Sequence, residues 1–255
     1  MLVFVYDKTF EGLMTAVFDS FELKQVPDKL VDKQHENSYM FTQIHSVSTD
    51  EQRAERVWKG LKKKLSYKYC QMLFHVFLSE LPEVDLLVFR YMRKVFESNY
   101  NIEREVGDAV VIEVMKIGQK VSREAQKLAM FVRFQKTADD IYFAAYDPKF
   151  NVLPLMIDHF QERFADQQWL IYDTRRKYGY YYNFKTVQEV FLDNENFSTA
   201  TGKLDSNSMA ADEKQFQELW KEYFKVLAIK ERINPKLHAQ LLPRRFWKYL
   251  TEKQQ

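Results

Sequence analysis

Apolar residues recur along this chain with two periods, and the change from one to the other divides it. Residues 2–6 form a short, β-prone apolar run. Phe10, Leu13, Met14, Val17, Phe18 and Phe21 then return at steps of three and four. That spacing predicts a helix over about 9–21 with one face in the core. Phe41 to Val47 alternates weakly, like a strand. Ser48-Thr49-Asp50-Glu51 is a helix start, with acidic groups at the positive end of the dipole. Helices are predicted at about 49–64, 66–79, 83–98 and 103–118, and Leu81-Pro82 separates the second from the third.

From about residue 120 the pattern turns strand-like. Ala129 to Phe134 and Ile141 to Tyr146 read as two strands around the turn Lys136-Thr137-Ala138-Asp139-Asp140. Asp147-Pro148 breaks the pattern, and a helix is predicted at about 152–165. Trp169 to Asp173 and Tyr180 to Phe184 form a second predicted hairpin, turned around Arg175-Arg176-Lys177-Tyr178-Gly179. A last helix, about 212–230, carries Phe216, Leu219, Trp220, Tyr223, Phe224 and Leu227 at helical spacing. The expected fold class is α+β. Hairpins at about 129–146 and 168–184 form an antiparallel sheet, joined by the N-terminal strand, a helical middle and a C-terminal helix. The expected organisation is one compact unit over 1–255. Its parts are a helical subregion at about 49–120, a hairpin–helix–hairpin subregion at about 125–190, a surface loop at about 194–213 and a helix with basic tail at 212–255.

Composition narrows the chemistry. With 46% hydrophobic and 29% charged residues, the chain has the balance of a folded protein. Its 15 Tyr and 21 Phe place many rings near the surface, as snorkelling side chains or as a stacking face. A single cysteine, Cys70, excludes an internal disulfide framework and cysteine-rich metal sites. No phosphate-binding glycine loop, nucleophile elbow or HExxH pair occurs, and six glycines in all leave little for a glycine-rich cradle. No cofactor and no metal site is expected. The N-terminus lacks a basic leader, and no apolar stretch approaches the roughly 20 residues of a membrane helix. A cytoplasmic location without membrane contact is the expectation.

The net charge is only +2. Between Lys230 and Lys253, however, seven Lys or Arg face two Glu, so the remainder of the chain is acidic overall. In this tail Pro243-Arg244-Arg245-Phe246-Trp247-Lys248-Tyr249-Leu250 interleaves cations with rings. Cations neutralise phosphates and rings stack on unpaired bases, so Arg244, Arg245 and Lys248 are expected phosphate contacts and Trp247 a stacking platform. Arg175, Arg176 and Lys177 form a second candidate contact on a hairpin tip, and Arg163 a third. His159 and Arg163 lie four apart on one helix face. His159 and Asp173 are the candidate catalytic pair for water activation or proton transfer, with Tyr6 and Asp7 as candidate pocket residues.

The chain resembles an uncharacterised bacterial family described as DNA metabolism or repair proteins. The resemblance rests on Tyr6-Asp7-Lys8-Thr9-Phe10-Glu11-Gly12-Leu13, Arg133-Phe134, Asp147-Pro148-Lys149-Phe150-Asn151 and His159-Phe160. It continues through Trp169 to Gly179, Glu231-Arg232-Ile233-Asn234-Pro235 and Pro243 to Glu252. It implies a role in DNA repair beside a radical-SAM protein encoded nearby. Some members of that family are fused to a uracil-DNA glycosylase-like domain, whose motifs this chain lacks. The expected function is DNA binding together with a radical-SAM partner. The alternatives are a DNA base-excision or DNA-modifying enzyme using His159 and Asp173, and a protein-binding adaptor without DNA affinity.

Overall fold

The computed structural model describes residues 1–35, 43–105, 107–192, 197–227 and 234–253. The chain divides into two units, Met1–Ser122 and Arg123–Gln255. The fold is α+β, with a three-stranded parallel sheet and a five-stranded mixed sheet.

In the first unit β1 (Leu2–Tyr6) is the central strand. It pairs in parallel with β2 (Lys29–Asp32) on one side and β3 (Gln43–Ser46) on the other. Val3 to Tyr6 are fully buried, as a parallel strand covered on both faces must be. The connection from β1 to β2 is α1 (Phe10–Glu22), whose N-cap Thr9 accepts the Gly12 amide at 2.9 Å. The helix packs against α2 (Glu51–Lys64) and α4 (Val84–Glu97), with α3 (Tyr67–Phe77) between these two in the chain. Asp50, within the helix start read at 48–51, caps α2 by accepting the Arg53 amide. Buried Asp19 of α1 binds Arg53 at 2.7 Å and His45 of β3 at 2.9 Å, which ties helix, helix and sheet together.

α5 (Ala109–Phe131) begins in the first unit and ends in the second. The strand expected at 129–134 is therefore helical through Phe131. Val121, Ala125 and Leu128 are buried at helical spacing, and that face carries the following turn along with it. Only Gln135–Lys136 (β4) pairs with β5 (Tyr142–Tyr146).

The second unit holds the sheet β4-β5-β6-β7-β8. α6 (Ile157–Arg163) carries the chain from β5 to β6 (Trp169–Asp173). A helical crossover returns the chain to the same end of the sheet, so β5 and β6 run parallel, with Tyr146 opposite Asp173. The sheet is thus mixed rather than antiparallel throughout, and the N-terminal strand belongs to the other sheet. The second hairpin forms, with β6 antiparallel to β7 (Tyr178–Tyr182), which begins two residues before the predicted strand. β7 continues antiparallel to β8 (Val187–Val190), a short polar strand that periodicity does not reveal.

Phe143, Ala145 and Tyr172 on one sheet face bury against Phe197 and Leu204, so the expected surface loop contributes core side chains. On the other face Trp169 meets Phe160 of α6 and Tyr182 of β7. There too the 3₁₀ helix Arg244–Tyr249 buries Phe246 and Tyr249, with the Tyr249 ring 5.1 Å from that of Tyr146. α7 (Glu213–Leu227) and α8 (Pro235–Leu241) precede this segment. The end of the helix expected to reach 230, the motif 231–233 and residues 41–42 of the expected strand lie outside the described residues.

Gly179 is dictated by close approach. A Cβ there would stand 2.5 Å from the Ile171 carbonyl oxygen and 3.0 Å from the Tyr172 ring. Main chain cannot move aside as a flexible side-chain tip can. Gly179→Ala is expected to destabilise the protein by about 2 kcal/mol, in the range of overpacked sites. The check is the urea midpoint at unchanged slope. An unaltered midpoint would show that the strands separate freely at this point.

Candidate nucleic-acid interface

The parallel pairing of β5 and β6 places their carboxyl ends at one edge of the sheet. The chain leaves β5 as Asp147-Pro148-Lys149 and leaves β6 as Thr174-Arg175-Arg176-Lys177, so these two segments lie side by side. Asp173 organises the second. It is 0% exposed. Its Oδ1 accepts the Arg175 and Arg176 amides at 2.9 and 3.0 Å, and its Oδ2 accepts Arg176 Nη1 at 2.8 Å. Its carbonyl accepts the Lys177 amide, and the Thr174 amide donates to Tyr146 across the strand pair. Burial pushes the Asp173 carboxyl up, against the pull of Arg176 and the turn amides. Lys177 closes the turn in the left-handed region, at φ 58°.

The turn thus fixed aims its arginines at the neighbouring segment. Arg175 Nε donates to Asp147 Oδ1 at 3.0 Å, and Arg176 reaches the Pro148 and Lys149 carbonyls at 3.3 Å. The C-terminal segment arrives at the same place. Lys248 Nζ stands 3.8 Å from Asp147 Oδ2, so Asp147 is held between the hairpin tip and the tail. Buried Glu124 of α5 makes a second junction, accepting the Lys149 amide at 2.5 Å and Arg245 Nη2 at 2.7 Å. Arg244 is exposed and lies 5.7 Å from the Trp247 ring, while Trp247 is half-buried with Nε1 donating to the Leu242 carbonyl. Two clusters about 70 residues apart in sequence, 175–177 and 244–248, therefore meet around residues 147–149.

Asp147, Lys149 and Glu124 were not among the candidate residues read from the sequence. Asp147-Pro148 reads as a strand breaker, and Glu124 lies beyond the helix predicted to end at about 118. One signal was present: Glu124 falls on the same helix face as Val121 and Leu128, and a carboxylate on an apolar face needs a partner.

The remaining candidates sit elsewhere. His159 and Arg163 are exposed on α6, where His159 meets Phe160 edge-on and Arg163 lies over Phe164. Among the described residues no hydrogen bond or ion pair joins either of them to Asp173. Tyr6 and Asp7 belong to the first unit. Tyr6 is buried at the end of β1, and burial raises its phenol. The Asp7 carboxylate accepts the Thr9 amide, the Thr9 hydroxyl and the Thr49 hydroxyl at 3.0, 2.6 and 2.7 Å. Burial acts to raise the Asp7 carboxyl, and these three donors outweigh it and hold it low. Among the described residues no helix is long and apolar enough to cross a membrane, and no cluster of three or more His, Cys, Asp or Glu could hold a metal ion.

The tail is anchored by Glu252, whose side chain is 3% exposed. It accepts Arg133 Nη2 and Trp220 Nε1, both at 2.9 Å. Burial works to raise its carboxyl, but the local backbone amide, Trp220 and Arg133 outweigh burial and hold it below the usual glutamate range. A lowered folded-state value means stability that is present above the ordinary value near 4.3 and lost as pH falls through the folded one. Glu252→Gln should therefore be less stable than wild type at pH 7, with the gap narrowing from about pH 5 to about pH 3. Urea unfolding at pH 7 and at pH 3 is the check, and an equal gap at the two would contradict the assignment.

Residues 82–252 match the family described as a domain of unknown function, DUF4130. No curated protein matches the chain. Among solved structures, the chain is similar to the pGpG-specific phosphodiesterase PggH from Vibrio cholerae. The two share 9% identity at a TM-score of 0.32, covering 89% of this chain and 99% of that one. A likeness at that level carries no functional argument.

Proposed function

We propose, for a chain that belongs to the DUF4130 family, that the second unit binds nucleic acid, with DNA as the expected partner. The observation that carries the reading is the meeting of Arg175 and Lys248 on one carboxylate, Asp147. Arg176, Lys177, Lys149, Arg244 and Arg245 belong to the same or adjoining segments. Among the described residues, Asp147, Asp173 and Glu124 are the carboxylates seen to bind members of this group of seven cations. A rigid, locally cationic edge on a chain of net charge +2 is suited to a polyanion. The ion pairs do not consume it. The Arg175 side chain is 52% exposed and Lys248 40% exposed, and pairs this open are weak and exchange readily for phosphate.

The enzymatic alternative has less support. A carboxylate that activates water must meet water, and Asp173 is wholly buried with both oxygens engaged by the turn it organises. The resemblance to DNA repair proteins adds a radical-SAM partner enzyme to the proposal. A surface fit for such a docking is the outer side of α7, where Leu219 and Val226, two turns apart, are 57% and 79% exposed.

The test is a fluorescence-anisotropy titration of labelled DNA at several salt concentrations. Neutralising about five phosphates gives a log–log slope of about −3.5 on single strands and about −4.5 on duplex. Lys177→Ala and Arg244→Ala leave the Asp147 junction intact, and each should flatten the slope by roughly 0.7 to 0.9. A slope near zero, or one indifferent to both substitutions, would remove the reading.

A further inference from the structure

A pocket of about 510 Å³ opens in the second unit between α7 and the start of the sheet. That volume falls in the range of small-molecule sites. Rings reach it from two directions in the chain: Phe134 and Tyr142 from around β4 and β5, Phe216 and Trp220 from α7. Phe216 is 60% exposed, an open ring at the lip of a concave site.

The polar groups of the pocket are held in place from behind. Glu252 fixes both Arg133 and Trp220, and the guanidinium carbon lies 5.1 Å from the Trp220 ring. Buried Glu213 accepts the Lys136 amide at 3.0 Å and Gln217 Nε2 at 2.8 Å. Arg133 Nε is buried away from the pocket space and has no acceptor among the described residues. One hydrogen-bonding atom is left over for a ligand. Gln217 spends its amide nitrogen on Glu213, and among the described residues no donor reaches its Oε1. The pocket therefore offers an acceptor and flat rings, with Lys136 as a nearby cation whose pairing with exposed Asp140 is readily exchanged.

We propose that this pocket binds a nucleobase together with its 5′-phosphate. A base stacks on the rings and presents donors and acceptors along its edge, and the phosphate answers the cations. An apolar ligand would cover the Gln217 acceptor without a donor, and a bare anion would leave the rings unused. The inference deepens the nucleic-acid reading and rests on it for the source of the base. Thr251 lines the pocket, and Lys248, three residues earlier, reaches the Asp147 junction. A strand held at that junction is placed to offer an unstacked base to the pocket.

The experiment is calorimetric titration of the full chain with each of the four deoxynucleoside 5′-monophosphates, and with inorganic phosphate alone. At least one nucleotide should bind in roughly the micromolar to millimolar range. Phe216→Ala, at an exposed ring that the core does not need, should weaken it at least about fivefold, the loss of one stacking contact. No nucleotide binding, binding indifferent to Phe216→Ala, or full competition by phosphate overturns the proposal. A second arm compares a single-stranded oligonucleotide with the same strand carrying abasic residues. Tighter binding of the intact strand, lost in Phe216→Ala, assigns the pocket to an unstacked base; equal binding assigns it to free nucleotides. DNA affinity without mononucleotide binding defeats the pocket alone, and mononucleotide binding without DNA affinity defeats the earlier reading alone.

Discussion

The second unit depends on how a crowd of cations is held at one edge of a sheet. Like charges gathered this closely repel, and two buried carboxylates make the gathering stable. Asp173 folds the 174–177 turn around itself, and Glu124 binds the Lys149 amide and Arg245. Half-exposed Asp147 then joins the two groups by binding Arg175 and Lys248. The main-chain carbonyls of Pro148 and Lys149 share the load by accepting from Arg176. Removing the cation from either buried carboxylate, Asp173 or Glu124, would leave that charge without compensation in a dry place, which costs more than a surface pair is worth.

This junction exists because β5 and β6 are parallel. Had the hairpin pattern of the sequence held throughout, the segments after β5 and β6 would have emerged at opposite ends of the sheet. The crossover through α6 is what places Asp147 beside Arg175. Topology, which single-sequence periodicity does not report, therefore decides whether the cations form one surface or two.

Much of the element pattern was legible because it is written in apolar spacing. β1, α1, the helices from 51 to 97 and the β6–β7 hairpin follow from runs that bury one face. What escaped has a common cause. β2 and β8 are four residues each, polar at the edges of their sheets, and owe their conformation to a neighbouring strand. The stretch from Ala129 to Phe131 is β-prone in isolation but continues a buried helical face from Val121. The basic clusters stood out as composition. Their carboxylate partners did not, because Glu124 and Asp147 acquire a role only from groups distant in sequence. Of the candidate catalytic residues, Asp173 has the position of a structural anchor, and Tyr6 and Asp7 close the end of β1 in the other unit.

The central claim is that residues 147–149, 174–178 and 244–249 act as one surface. Hydrogen–deuterium exchange of the full chain, with and without a single-stranded oligonucleotide, tests it directly. The account predicts that amides of all three segments slow together on binding. Slowing confined to one segment, or located in none of them, would contradict it.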